Sequence, residues 1–266
     1  MDLQLLQDEY KRKRKLESRK IRLLQLLLLV ALFVFWELST RYRLLDPLIF
    51  SSPTAVIQLF IAKISDGSLF PHVVVTLLET VVGFLLGTIL GTLLAIFLWS
   101  STMVAKVMDP YLVVLNAMPK VAIGPIILVI FGPNIMAVLV MGILISVIIS
   151  TIVIFSAFQQ VNENYIKVMR LFHATKQQTF WHVVLPASTP TIISTLKVNV
   201  GLSWVGVIVG EFLVSSKGLG YLIISGFQVF NFNLVFLALL MIVLLATFMY
   251  KVVDIIEQVL LRRFNF

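Results

Sequence analysis

The sequence contains no cysteine among its 266 residues, and charged side chains make up only 13% of it. Without cysteine, disulfide bonds, thiol catalysis and thiolate metal sites are excluded. A soluble domain ordinarily carries about 25% charged residues, and a chain with so few cannot cover a water-exposed surface. With 59% hydrophobic residues and a mean hydropathy of +1.02, the protein is predicted to have lipid as the solvent for most of its surface.

Familiar catalytic motifs are also missing. The chain has three histidines, and it contains no HExxH, GxSxG or GxxxxGK[ST] pattern. ATP binding through a phosphate loop is therefore excluded, and neither a metal site nor a cofactor is predicted in this chain. An intramembrane enzyme would need paired catalytic groups at one depth, and no Ser-His or Asp-Asp pair has that placement.

Apolar runs recur at about 20 residues, the length that crosses the hydrocarbon of a bilayer. The first run follows a basic region, as in a signal peptide, but it is long enough to span and no small-residue cleavage site follows it. It is therefore predicted to be an uncleaved first helix. The pattern predicts an all-α polytopic membrane protein with six transmembrane helices, at roughly 22–40, 72–99, 110–131, 134–158, 187–214 and 233–257.

The net charge of +8 is distributed in a way that indicates topology. Eight of the 21 Lys and Arg residues lie between Lys11 and Arg22, just before the first span. With the N-terminus inside, 15 cations fall on the inner side and four on the outer, so the positive-inside rule predicts an N-in, C-in protein. The chain divides into a basic cytoplasmic segment, 1–21, and a transmembrane domain, 22–266. Topology explains the charge without a nucleic-acid partner.

Two backbone patterns bear on how the spans pack. Gly83, Gly87 and Gly91 recur every four residues, which places them on one helix face and lets a neighbouring backbone approach closely. The third span contains Pro119 and Pro125, with Pro133 just beyond it. Because proline removes an intrahelical donor, this span is predicted to be kinked or broken, either as a hinge or as a static kink.

Four ionisable groups fall inside predicted spans, where a charge is costly. Glu79 and Glu211 lie toward the outer side, whereas Lys120 and Lys197 lie about three turns from the inner side. They are candidates for a translocation path or an internal ion pair. The alternative is solvation at the interface, with the lysines snorkelling inward.

The longest inner loop, 159–186, is the most polar interior stretch. Val168, Leu171, Phe172 and Thr175 recur within it at three- and four-residue spacing, which predicts a short amphipathic helix beneath the membrane. A solvated connector, or a helix resting on lipid headgroups, is the alternative.

Four stretches in order along the chain carry a family resemblance: "SSPTAVIQ", "MPKVAIGPIILVIFG", "FWHVVLP" and "GLGYLI". With them the chain resembles the inner-membrane permeases of binding-protein-dependent ABC importers, especially the nitrate/sulfonate/taurine type. The resemblance implies an ABC type I importer permease fold and a transport subunit that is not itself an enzyme. It makes 159–186 the coupling loop, with the coupling residues Lys167, Val168, Met169, Arg170, His173, Ala174, Thr175, Phe180, Leu185 and Pro186.

The loop departs from the family pattern at the most characteristic residues of the motif. Residues 167–169 stand where the family commonly has Glu-Ala-Ala, and His173 stands where it usually has glycine, whereas Arg170 and Ala174 match. Glycine would allow a left-handed turn, so His173 must reach that turn at some strain or form a different one. Pro186 suits the first turn of a helix.

The resemblance also implies partners. They are two ATP-binding subunits that bind ATP and Mg²⁺ and dock around 163–184, a second permease copy, an extracytoplasmic solute-binding protein and the lipid of a bacterial cytoplasmic membrane. The implied substrate is a small organic anion such as a sulfonate, taurine or nitrate. A thiamine-precursor pyrimidine or another vitamin is the alternative. An ion-coupled secondary transporter would predict inverted repeats, and the halves show no convincing repeat.

Overall fold

The computed structural model of the chain describes residues 3–263, and all regular structure in that range is helical. A 3₁₀ turn occupies Lys120–Ile123 and a π-helical turn occupies Phe180–Val184. Residues 1–2 and 264–266, at the outer ends of the predicted segments 1–21 and 22–266, lie outside the described residues. The α-helices are α1 Leu3–Arg41, α2 Pro47–Phe50, α3 Pro53–Ser65, α4 Leu69–Ser100, α5 Thr102–Ala117, α6 Gly124–Phe131, α7 Ile135–Gln159, α8 Glu163–Leu171, α9 Lys176–Thr179, α10 Leu185–Val214, α11 Leu219–Gln228 and α12 Phe232–Arg263.

Long apolar helices confirm the predicted fold class. Five are long and apolar enough to cross a membrane, and a bent pair, α5 with the 3₁₀ turn and α6, makes a sixth candidate. The five are Tyr10–Arg41, Leu69–Ser100, Ile135–Gln159, Lys176–Val214 and Phe232–Arg262. The first is longer than predicted because α1 runs without a break through the basic cluster, whose Lys, Arg and Leu residues favour helix.

The third predicted span is broken, as its prolines indicated. Its two halves meet at 95°, and the break falls at Met118 and Pro119. Pro110 lies inside α5, whereas Pro125 lies in the first turn of α6, where a missing N–H costs nothing. The predicted start at residue 110 was too late because α5 begins at Thr102, capped by the Ser101 side chain.

The described residues divide into two compact units. The smaller comprises 3–62 and 226–237. Within it, the Glu37 carboxylate accepts hydrogen bonds from the Thr54 backbone N–H and hydroxyl, at 3.1 and 2.9 Å, and the Ser51 hydroxyl donates to Asn233 at 2.6 Å. These bonds tie the start of α3 to α1, and the end of α2 to the start of α12.

The larger unit comprises 63–225 and 238–263 and has α4, α7 and α10 at its centre. Its interior holds buried polar groups as well as apolar ones. Asn199 on α10 is fully buried and donates from its amide to Thr88 on α4 and Ser150 on α7, at 2.6 and 2.5 Å. Because each donor hydrogen is bonded across a helix boundary, the three helices are joined by hydrogen bonds in the interior.

The glycine face of α4 packs closely in this unit. A Cβ atom at Gly87 or Gly91 would overlap Ser146 or Ser150 of α7, and one at Gly83 would overlap Ser203 of α10. The structure thus places the three glycines where neighbouring helices approach α4 closely.

Candidate functional site

The loop from 159 to 186 is built from short helices in sequence. Asn162 begins α8 by accepting a hydrogen bond on its side chain from the Asn164 N–H at 2.9 Å. Glu163 lies in the first turn and forms a 3.5 Å ion pair with Lys167, one turn later. Both side chains are largely exposed, so this pair adds little to stability.

The turn after α8 contains a left-handed residue that is not glycine. His173 has a φ of 56°, the conformation that the family glycine implied for this position. The His173 N–H donates to the Arg170 carbonyl at 2.9 Å, and the Ala174 N–H donates to the Met169 carbonyl at 3.0 Å. This pair of bonds is a Schellman motif with histidine in place of the usual glycine. The helix end is kept, at a conformational cost of about 1–2 kcal/mol.

The apolar side of this segment faces outward. In the isolated chain Leu171 is 79% exposed and Phe172 is 80% exposed, and Tyr165 and Val168 are exposed as well. The recurrence of Val168, Leu171, Phe172 and Thr175 predicted an amphipathic helix, and the structure has one that ends at Leu171, so that Phe172 and Thr175 lie beyond it. The charged Lys167 and Arg170 are exposed beside them. An apolar patch with a charged rim is typical of a protein-interaction surface.

α9 fastens the segment to the end of α4. Thr175 and Gln178 form a capping box, in which the Gln178 N–H donates to the Thr175 hydroxyl and the Thr175 N–H donates to the Gln178 side chain. Lys176 then extends from the first turn of α9. Its ammonium donates to the Ser100 carbonyl at 2.9 Å and lies 5.2 Å from the centre of the Trp99 ring.

An aromatic cluster joins the segment to the core. Phe180 is buried, with its ring 4.9 Å from that of Trp99 on α4 and 5.4 Å from that of Phe158 on α7. Val184 and Ile154 are buried in the same cluster. The π-helical turn over 180–184 allows Phe180 and Val184 both to point into this core. A helix with such a turn is rare and frequently marks a functional position.

The helix continues from α9 through this turn into α10. Residues Lys176–Val214 form one unbroken apolar helix, and Pro186 lies in the first turn of α10. The helical backbone is therefore continuous from α9 into α10. Beside the segment lies a cavity of about 520 Å³, lined among others by Trp99, Thr102, Arg170 and Lys176.

At the opposite end of α4, the two candidate carboxylates come together. Glu79 and Glu211 are 3% and 1% exposed, and their carboxyl groups are neighbours. Glu211 accepts hydrogen bonds from the Thr76 hydroxyl and the Gly220 N–H, both at 2.6 Å. This arrangement binds the turn after α10 to α4.

The two candidate lysines have different surroundings. Lys120 donates to the Asn116 carbonyl at the end of α5, at 2.7 Å. Lys197 on α10 pairs with both Asp254, at 2.5 Å, and Glu257 of α12. The structure therefore places Lys197 in an internal ion pair, which was one of the two functional interpretations of its position.

Sequence reasoning missed the partners of two of these residues. Asp254 and Glu257 are spaced three apart and so share one helix face, which was a usable signal for a cation opposite. Lys176 was counted only as an inner charge, and nothing in the sequence points to Ser100 as its acceptor. Within residues 3–263, no three histidine or acidic side chains come together in a way that could hold a metal ion.

The family model "Binding-protein-dependent transport system inner membrane component" matches residues 83–265. A probable ABC transporter permease protein of Haemophilus influenzae is 33% identical over 88% of this chain and 96% of its own length. A riboflavin transport system permease protein of Chloroflexus aurantiacus is 30% identical over 88% of this chain and 87% of its own. A putative aliphatic sulfonates transport permease protein of Bacillus subtilis is 26% identical over 89% and 86%.

Other curated relatives are named for the transport of nitrate, taurine and formylaminopyrimidine. Among solved structures, the inward-facing MetNI methionine ABC transporter matches with a TM-score of 0.61 and 18% identity. That match covers 71% of this chain and 94% of the other. At this identity the likeness shows the fold alone.

Proposed function

This chain belongs to the family of binding-protein-dependent transport system inner membrane components, and we propose that it carries a small organic anion of the sulfonate, taurine or nitrate kind. It is a multi-pass permease subunit of an ABC importer in the bacterial cytoplasmic membrane. In the proposed assembly two copies of the chain form the membrane part, two separate ATPase subunits bind ATP and Mg²⁺, and a solute-binding protein delivers the substrate from outside.

The observation that carries the proposed docking is the exposed apolar end of α8. Leu171 and Phe172 face outward on a segment whose other end is continuous with α10. A soluble loop would hide such side chains, whereas an interface gains free energy by covering them. Docking of an ATPase here, on the cytoplasmic side, would push on a helix that crosses the membrane.

Relatives supply the support for the substrate. Their names include aliphatic sulfonates, nitrate and taurine, which are small and carry an anionic group, but also riboflavin and formylaminopyrimidine. Lys197 is not independent evidence for an anionic substrate, because its charge is already balanced by Asp254 and Glu257. A vitamin is therefore the second candidate, favoured by the 30% identity to the riboflavin permease.

Docking is tested by co-expressing the chain with its ATPase subunit and measuring co-purification and ATP hydrolysis in lipid nanodiscs. Arg170→Glu, the double change Leu171→Ser and Phe172→Ser, and deletion of residues 165–176 should each abolish assembly. Lys217→Glu reverses an exposed charge far along the chain and should leave assembly intact. Assembly of the three docking variants at the wild-type level would refute the proposed surface. The mass of the wild-type assembly reports whether it holds two copies of this chain.

The substrate is tested by uptake into cells that express the permease, its ATPase and its binding protein. Labelled taurine, an alkanesulfonate, nitrate and riboflavin are compared. Uptake of one of the three anions, with competition by the others, supports the proposal. Uptake of riboflavin alone replaces it with the vitamin candidate.

A further inference from the structure

Lys176 joins the coupling segment, the part of the coupling loop formed by α8 and α9, to a second membrane helix. The continuous helix 176–214 already links this segment covalently to α10. Lys176 adds a contact to α4 by donating a hydrogen bond to the Ser100 carbonyl, and its charge lies over Trp99. We propose that Lys176 is the positioning residue through which movement of the coupling segment is passed to the joint between α4 and α5. The proposal rests on the proposed docking of an ATPase to this segment.

The site of attachment is a joint in the backbone. α4 ends at Ser100, Ser101 has an extended conformation, with φ −140° and ψ 117°, and α5 begins at Thr102. The Ser101 hydroxyl caps α5 by accepting from the Val104 N–H at 3.4 Å. A force applied at the Ser100 carbonyl therefore acts on the end of one helix and on the residue before the start of the next.

The chemistry of the contact suits an attachment to the end of a helix. The last carbonyls of a helix have no intrahelical partner, and the negative end of the helix dipole lies there. A lysine ammonium satisfies such a carbonyl with a charge-assisted hydrogen bond, which is stronger than a neutral one. The Trp99 ring adds attraction for the same charge from its face.

The attachment also has a rigid backing. Trp99 packs against Phe180, which is buried four residues after Lys176 on the same continuous helix. Lys176 and Phe180 thus contact adjacent residues at the end of α4, one through charge and one through packing. The aromatic contact holds α4 near the segment, and the lysine contact fixes the position of the carbonyl at the joint.

The test follows the two helices separately and needs no substrate. Since the chain has no cysteine, a single cysteine can carry an environment-sensitive fluorophore. Met103→Cys places it on α5, where residue 103 is 78% exposed, and Val205→Cys places it on α10, where residue 205 is 53% exposed. Each labelled chain is assembled with its ATPase in nanodiscs, and the shift in fluorescence is measured when the ATPase is trapped with ATP and vanadate.

In the wild-type background both probes should shift. Lys176→Gln removes the charge, and the shift at residue 103 should be lost, while the shift at residue 205 persists. Lys176→Arg keeps the charge and the cation–π contact and should restore the shift. Lys251→Gln removes an exposed cation of α12, outside the coupling loop, and should change neither probe.

An undiminished shift at residue 103 in Lys176→Gln would overturn the inference, as would an equal loss in Lys251→Gln. Equal loss at residues 103 and 205 would also overturn it, because Lys176 would then support the whole segment and no particular helix. Failure of the wild-type chain to assemble with the ATPase would be a failure of the proposed function itself and would be seen before any probe is read.

Discussion

The Thr76 hydroxyl donates a 2.6 Å hydrogen bond to the buried Glu211 carboxylate and accepts one of 2.8 Å from the Leu219 N–H. One side chain of α4 thus contacts both α10 and the start of α11. The Gly218 N–H, one residue earlier, donates to His72 of α4 at 3.1 Å. Together these bonds hold the turn between α10 and α11 against α4.

Glu211→Ala should destabilise this end of the bundle. The change leaves the Gly220 N–H without its acceptor in a buried site, and the Thr76 hydroxyl keeps only its longer bond to the His72 carbonyl, at 3.1 Å. The expected loss is about 2–3 kcal/mol. Glu211→Gln keeps an acceptor oxygen and the side-chain volume, so its loss should be smaller. The midpoint of thermal unfolding in detergent ranks the two variants, and an alanine variant as stable as wild type would contradict the role of the carboxylate.

Gly218→Ala should destabilise for a different reason. Gly218 has a φ of 112°, which side chains rarely adopt, and its Cβ would overlap the Glu211 carboxylate. Backbone strain alone costs about 1–3 kcal/mol. Gly201→Ala is the matched control, because a Cβ there meets nothing within 4 Å and its φ is ordinary. That control should be neutral or slightly stabilising. Equal midpoints of thermal unfolding for the two variants would contradict the prediction.

His173→Gly should stabilise the end of α8. The glycine adopts a φ of 56° without a Cβ clash, so the left-handed turn becomes easier by about 1 kcal/mol, or about fivefold in the local opening equilibrium. Hydrogen exchange of the His173 and Ala174 amides should slow accordingly. His173→Val is β-branched and should accelerate it. Equal exchange in all three proteins would show that the turn contributes nothing to the stability of α8.

Much of the fold follows from local patterns. The apolar runs predicted the spans because a bilayer requires long uninterrupted helices, and Pro119 predicted the break in the third. The family glycine predicted either a strained left-handed turn at His173 or a different turn, and the structure has the first. The start of α5 at Thr102 was missed, since Lys106 and Asp109 interrupt the apolar run that marks a span.

Contacts between distant helices could not be predicted in the same way. The neighbours of Glu211 and Lys197 depend on how each helix is rotated about its axis and how deep it lies in the membrane. The hydrophobic period of a single segment determines neither quantity. Glu79 and Glu211 were placed toward the outer side from sequence, but their adjacency arises only when α4 and α10 pack. The contact of Lys176 with Ser100 likewise joins residues 76 apart in the chain.

Lys197→Met should destabilise the packing of α10 on α12. Lys197 pairs with Asp254 and Glu257, and the Ser194 hydroxyl also donates to Glu257 at 2.6 Å. Removing the cation leaves two neighbouring, partly buried carboxylates on one face of α12 without a partner charge. The unfolding midpoint should fall, by less than for a fully buried pair because water reaches part of the site.

A second substitution separates the ion pair from side-chain volume. Adding Glu257→Gln to Lys197→Met removes one of the uncompensated charges, so the double variant should unfold at a higher temperature than Lys197→Met alone. Lys251→Met removes an exposed cation from α12, the helix that carries Asp254 and Glu257, and should leave the unfolding midpoint unchanged. If Lys197→Met is no less stable than Lys251→Met, the pairing of Lys197 does not hold α10 to α12, and its charge is available to a substrate instead.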